Sequence, residues 1–323
     1  MRAIRRIPLY AANLVLSSVV LAIATSAHEH TPLYDQPELI RSVGWDIESA
    51  EISAQKVSDG LYVLFGLGGN IAVSIGTDGV LMVDDQLPQL AQKVLDAVSE
   101  LGGDGVDYII NTHWHWDHAE GNLNFGPRGS TIISHHLARQ DMSKGGLINM
   151  VVSRYLQQPY PKEALPELTY QQEMVVHFNS GQVVLRHFSP AHTTGDTAVF
   201  FEPQNAVHLG DTFFSASYPF IDVDNGGSID GLINFCGQTL QHINDQTIVI
   251  PGHGPVVGYP ALETYVAMLR TVRNRVKAMI DKGMSLAEVK EARPTFEFDE
   301  TYGPETASMG FIDRVYASLK KDL

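Results

Sequence analysis

Six consecutive residues, His113-Trp114-His115-Trp116-Asp117-His118, restrict this chain more than any other feature. They follow directly on the β-rich run 107–110 through Asn111-Thr112, so the cluster lies on a loop at a strand's carboxyl end, where α/β architectures place their chemistry. His113 and His115, two apart in extended geometry, point the same way. Asp117 and His118 come after the chain turns and can serve a neighbouring ion roughly 3.5 to 4 Å away, the separation of two-ion sites. One short peptide therefore seeds two adjacent cation positions.

The rest of the chain reads as a layered α/β fold around this loop. Short β-rich runs at 55–57, 61–65, 71–75 and 80–83 are separated by Asp59-Gly60 and Asp78-Gly79, both hairpin signals, which predicts an antiparallel meander. From Pro88 to Leu101 the apolar positions Leu90, Val94, Leu95 and Val98 follow helical spacing, with Gly102-Gly103 just beyond the end. Strand patterns return at 173–178, 182–188, 197–201, 206–209 and 247–250, and helical ones at 261–281, 285–292 and 305–320. Strands flanked by helices in both halves predict a four-layer αββα sandwich. Residues 28–50 read as an irregular amino-terminal segment, and 51–323 as a single catalytic unit. Residues 135–170 read as mainly helical or irregular, broken by Gly145-Gly146, Pro159, Pro161 and Pro166, with a lid and a plain surface excursion both open as readings.

Three further motifs sit at returns from strand to loop: Pro190-Ala191-His192-Thr193-Thr194-Gly195-Asp196, Leu209-Gly210-Asp211-Thr212 and Pro251-Gly252-His253-Gly254. Taken with the histidine string, their order and register resemble the metallo-β-lactamase superfamily over about residues 53 to 270. The resemblance implies that His113, His115 and His192 hold one metal, that Asp117, His118 and His253 hold a second, and that Asp211 bridges the two. It also implies that Asp84 orients a ligand histidine or the loop, with Asp85 as the alternative. Nitrogen and carboxylate donors without thiolate suit two Zn²⁺ ions per chain, and Fe or Mn tolerates the same set. Two such cations bring the pKa of a shared water toward neutrality, giving a hydroxide that attacks a carbonyl-type carbon, with Asp117 as the catalytic residue that orients it and passes on its proton.

Other residues divide between structural and functional readings. Trp114 and Trp116 alternate with the ligands; Trp116 is a candidate pocket wall. Tyr218 and Asn225, in the Gly-rich interval after Asp211, are candidate substrate contacts, Asn225 as a donor to a developing oxyanion. His135 and His136 read as surface or ligand-supporting positions, and His187 and His208 as hydrogen-bonded packing residues on strands. Cys236, the only cysteine, reads as a small buried hydrophobe on a helix.

The first residues have the layout of a secretory leader: Arg2, Arg5 and Arg6, an apolar run from Leu14 to Ala24, then Thr25-Ser26-Ala27. The run is about half the roughly 20 residues a membrane-spanning helix needs, so cleavage near Ala27 and a periplasmic or secreted product are expected, without a permanent membrane anchor. Removing 1–27 takes away three basic residues and no acidic ones, which leaves 19 basic against 37 acidic residues and a net charge of −18. Such a surface repels nucleic acid, so the expected partner is a small molecule, while the oligomeric state stays open.

The substrate is bounded by what is missing. No Lys or Arg lies between Asp211 and His253, where several true metallo-β-lactamases place a lysine on the antibiotic's carboxylate. Asp211 itself is similar to the bridging Asp of glyoxalase II and lactonases, although no basic cluster for glutathione carboxylates is evident near the carboxyl end. The expectation is an exported binuclear hydrolase of small esters, lactones or β-lactam-like amides. A glyoxalase II-like thioesterase is the alternative, and a di-iron redox or non-hydrolytic metal-binding protein the reading from another class.

Overall fold

The computed structural model describes residues 31–321. The leader and its cleavage point lie outside the described residues. No helix among the described residues is long and apolar enough to cross a membrane.

Two large sheets form the centre. The first has seven strands in the spatial order Leu168–Tyr170, Thr131–His135, Tyr108–Asn111, Gly79–Val83, Ile71–Gly76, Leu61–Phe65 and Ser53–Ser58. The second has six: Glu173–Phe178, Gly181–Arg186, Ala198–Phe201, Ala206–His208, Ile248–Ile250 and Val257–Gly258. Alternation along each strand decides which face is buried against what. Leu81, Val83, Ile110 and Ile133 of the first sheet pack against Val183, Leu185, Val199 and Phe201 of the second, and this is the inter-sheet core. Their neighbours Val80, Met82, Ile109 and Ile132 face outward onto Val94 and Val98 of the helix Ala91–Glu100. On the far side, Val184, Phe200, Val207 and Val249 pack on helices Ile229–Leu240, Tyr259–Asp281 and Glu305–Lys321. Helix, sheet, sheet and helix follow in that order, the αββα arrangement predicted from the pattern.

Two pairs of parallel strands place the functional loops. Gly79–Val83 runs parallel to Tyr108–Asn111, and Ala206–His208 runs parallel to Ile248–Ile250. Their carboxyl ends lead into Asp84, His113, Asp211 and His253 respectively. The two sheets are tied at this edge by Asn70, whose backbone N–H donates to the Gly252 carbonyl and whose side-chain amide donates to the Pro251 and Gly254 carbonyls, all within 2.9 Å.

Within the described part of 28–50, residues 31–50, the expectation of irregular structure is corrected. Leu33–Tyr34 is a strand, and Gln36–Ser42 is a helix closed by a capping box between Asp35 and Glu38. Residues 135–170 are also more regular than expected. After the helix His136–Lys144, Gly146–Asn149 and Arg154–Gln157 form a hairpin, Leu33–Tyr34 adds to it in parallel, and Leu168–Tyr170 joins the edge of the first sheet. Runs of two to four residues carry too little alternation to be read locally; long-range pairing makes them strands.

Candidate metal centre

Each ligand candidate is delivered by an element end. His113 leaves strand Tyr108–Asn111 by two residues, and the short helix Trp116–Ala119 turns Asp117 and His118 back toward it. His192 lies on the loop between the second and third strands of the second sheet, Asp211 in the turn Gly210–Thr212, and His253 just after Ile248–Ile250. The crowding dictates glycines. A Cβ on Gly69 would stand 2.1 Å from the His118 ring, and one on Gly252 would stand 2.1 Å from a carboxylate oxygen of Asp211.

The seven residues converge as three overlapping groups: His113 with His115 and His192; His113 with His118 and Asp211; and Asp117 with His118 and His253. Within each group the donor atoms lie within 4.8 Å of one another. Asp211 stands between the outer two groups. One carboxylate oxygen, Oδ1, is 2.9 Å from His118 Nε2 and 3.4 Å from His253 Nε2, while Oδ2 faces His192 Nε2 at 3.7 Å. Asp117 Oδ2 lies 3.2 Å from His253 Nε2.

The outward nitrogens are spoken for, which fixes what the inward ones can do. His118 Nδ1 bonds the Asp84 carboxylate at 2.7 Å, His115 Nε2 bonds Asp222 at 2.9 Å, and His192 Nδ1 donates to the Phe220 carbonyl at 2.9 Å. A neutral ring has one N–H, so these bonds assign it to the outer nitrogen and leave bare lone pairs on the inner one. Yet His115 Nδ1 and His192 Nε2 face each other at 2.8 Å, and the buried His113 Nε2 has no hydrogen-bond partner. Lone pairs aimed at a common point repel unless something positive lies between them. The donor set therefore fits divalent cations, with nitrogen and carboxylate donors in the mixture that suits zinc and admits iron or manganese.

Electrostatics agree. Burial, reinforced by His118 and His192, holds the His113 imidazole well below its ordinary pKa, and burial beside His115 brings His192 down to about 4. Both are neutral at physiological pH, as ligation requires. Burial alone would lower His253 as well, but Asp211 and Asp117 lift it to about 9. The two carboxylates attract positive charge at this end of the centre.

Asp84 and Asp222 support the cluster from behind. Asp84, fully buried in a left-handed conformation with φ of 63°, accepts from the Thr112 N–H at 2.7 Å and the Thr112 hydroxyl at 2.8 Å as well as meeting His118. Asp85 makes no such contact with the cluster; burial and the adjacent Asp84 push its carboxyl well above the usual range. Sequence reasoning missed Asp222. It lies in a run with Asp224 and Asn225 that reads as a polar turn, and no local signal separates it from Asp224, which pairs with Arg314 instead.

Two proposed substrate contacts are corrected. The Tyr218 side chain turns into the helical layer, where its hydroxyl bonds Asp299 at 2.8 Å and its ring stacks on Phe311 at 5.2 Å. Asn225 donates to Asp222 at 2.8 Å and to the Leu147 carbonyl at 2.9 Å, so it braces the carboxylate that holds His115 and has no free donor for an oxyanion. Trp116 does line the cleft above the centre, while Trp114 is packed in the interior. His135 is also interior, stacked on His187 at 3.9 Å and bonded to the Gln171 carbonyl, which rules out a surface position. His208 bonds the Asn70 carbonyl, and Cys236 is fully buried on helix Ile229–Leu240.

A family model described as the metallo-beta-lactamase superfamily matches residues 66–264, well over half of the chain. The chain belongs to the metallo-β-lactamase superfamily. Among curated members, a probable metallo-hydrolase of Methanocaldococcus jannaschii is 25% identical over 196 residues, covering 59% of this chain and 90% of the relative. The hydroxyacylglutathione hydrolase of Rhodospirillum rubrum is 30% identical over 169 residues, 51% of this chain and 55% of the relative, so the chain spans about half the length of that enzyme. Among solved structures, the DIM-1 metallo-β-lactamase aligns with a TM-score of 0.56 at 16% identity, over 68% of this chain and 98% of that one. A metallo-β-lactamase from Pontibacter korlensis aligns with the same TM-score at 13% identity, over 68% and 99%. At such identities the structural likeness establishes the superfamily's fold. Superfamily membership makes this chain a metallo-hydrolase with a His/Asp centre for divalent metal and a small-molecule substrate.

Proposed function

We propose that the protein is an exported binuclear hydrolase, zinc-dependent, that cleaves a carbonyl-type bond in a small ester, lactone or β-lactam-like amide. The observation that carries the reading is Asp211, whose two carboxylate oxygens face different imidazole groups at the floor of an open cleft of about 270 Å³. That volume is at the small end of ligand pockets.

In this reading His113, His115 and His192 would hold one ion, Asp117, His118 and His253 the other, and Asp211 would contribute to both. The pair, when bound, supplies Lewis acidity and a water acidic enough to attack near neutral pH. The chain's own residues do the rest. Asp117, at the cleft surface beside His253, orients the attacking water, accepts its proton at a carboxylate oxygen and returns it to the leaving group. Asp84 and Asp222 hold the rings of His118 and His115 in register, so little reorganisation accompanies the reaction.

The test is a hydrolysis panel on metal-quantified protein: nitrocefin, an acyl-homoserine lactone, a p-nitrophenyl ester and a thioester. Turnover of at least one is expected, abolished by exhaustive chelation and restored by Zn²⁺. Full activity in chelated, metal-free samples would refute the proposal. A thioester cleaved about tenfold faster than the oxygen ester would favour the thioesterase reading, which the likeness to the Rhodospirillum rubrum enzyme supports. Export rests on the sequence of residues 1–27. Amino-terminal sequencing of the mature protein is expected to begin near His28, and an intact Met1 would overturn that part.

A further inference from the structure

We infer that the substrate moiety lying over this centre is uncharged and apolar, an alkyl or aryl group, and that Trp45 sets this preference. The inference rests on the hydrolase reading and specifies its substrate class.

The cleft's polar lining consists of the centre's own His115, Asp117, Asp211 and His253; every other residue lining it is apolar. Trp45 and Val43 come from the amino-terminal segment, Ile148 and Met150 from the hairpin, and Trp116 and Phe220 from the ligand-bearing loops. No Lys or Arg lines the cleft among the described residues. An anionic group entering there, away from the ions, would lose its water without gaining a cation, and burial of an unpaired charge is strongly unfavourable. An alkyl chain or aromatic ring meets the opposite situation, since indole and benzyl faces offer contact area with little conformational cost.

The Trp45 wall is built in rather than draped. Its backbone N–H donates to the Ile40 carbonyl at 3.1 Å, and Gly44, at φ of 76°, makes the turn that brings the chain back. The indole packs against Trp116 with ring centroids 5.4 Å apart. The helix before it is anchored by Gln36, which donates to the buried Glu120, and by strand Leu33–Tyr34, which pairs with Arg154–Gln157. Val43 is 46% exposed and forms the rim.

The test uses full-length, zinc-loaded protein and two matched pairs of compounds: p-nitrophenyl hexanoate against its ω-sulfonate, and hexananilide against its ω-sulfonate as slowly cleaved ligands. Sulfonate is chosen because it competes poorly for a divalent ion. The neutral ester is expected to show about tenfold higher kcat/KM than the sulfonate, and the neutral anilide about tenfold tighter binding. Trp45→Ala should raise KM for the neutral ester about fivefold, more than it lowers kcat, with Trp45→Phe restoring most of the loss. Val43→Lys, at an exposed position that does not threaten folding, should shift preference toward the sulfonate. Equal handling of both members of each pair, or an unchanged preference in Trp45→Ala and Val43→Lys, overturns the inference while leaving hydrolysis intact. If neither ester is cleaved, the anilide pair decides the inference by itself: tighter binding of the neutral compound supports it, and equal binding overturns it, while the hydrolase reading is judged separately by the substrate panel.

Discussion

Asp211→Ala is expected to yield a folded protein that keeps at most one divalent ion per chain and hydrolyses its substrate about a thousandfold more slowly. The size follows from position. Asp211 is the residue whose oxygens reach both histidine groups, Oδ1 toward His118 and His253, Oδ2 toward His192. It lines the cleft floor, and a water entering in its place carries no negative charge. Removing it leaves neutral imidazoles and Asp117 to hold four positive charges, and the second ion should be the first lost. A thousandfold loss corresponds to about 4 kcal/mol of transition-state stabilisation, the scale a metal ion supplies by polarising a reacting oxygen. Asp211→Asn separates charge from shape: it fills the same space without the negative charge and should behave like the alanine variant. Metal analysis after dialysis, together with kcat/KM, decides the matter. A variant with two ions and a rate within tenfold of the parent would show that Asp211 does not bridge.

Asp84→Ala is expected to reduce both stability and metal affinity although Asp84 lies behind the ligands. Its carboxylate accepts three hydrogen bonds of 2.7 to 2.8 Å, two from Thr112 and one from His118, and all three partners are buried. Each buried group left unsatisfied costs about 1–3 kcal/mol, and partial relaxation brings the expected total to about 3–5 kcal/mol. The left-handed φ of 63° is a cost the parent aspartate already bears, so it adds little to the difference. With its ring no longer held, His118 should bind its ion about 10–100-fold more weakly. Denaturant unfolding of the metal-free protein isolates the first effect, and competition with a chelator measures the second. A loss below about 1 kcal/mol with unchanged affinity would remove Asp84 from its supporting role.

What could be read from the sequence divides along a physical line. Strands such as Leu61–Phe65 and Gly79–Val83 announce themselves because hairpin turns flank them and their composition is strongly β-forming. The candidate ligands were legible for a related reason: imidazoles two apart on a loop leaving a strand are a local pattern, and the structure brings them together. Asp222 and Trp45 were not, because each matters through a partner far away in sequence, Asp222 through His115 and Trp45 through Trp116. Tyr218 and Asn225 show the converse. They follow Asp211 closely along the chain, yet the short helical turn Val223–Asn225 and the Phe311 stack direct them elsewhere. The hairpin Gly146–Asn149 with Arg154–Gln157 was hidden behind breakers; Gly145 and Pro159, which bound it, read locally as loop.

The wall formed by Val43 and Trp45 belongs to a stretch that contributes no ligand and lies upstream of residues 66–264, over which the chain matches its superfamily. The rest of the apolar lining, Trp116, Ile148, Met150, Phe214 and Phe220, lies within that span beside the imidazoles. If Trp45 acts as inferred, two chains that agree throughout 66–264 can still differ in the molecules they prefer, since replacing residues of the helix and turn that precede that span changes one wall of the cleft while every imidazole stays in place.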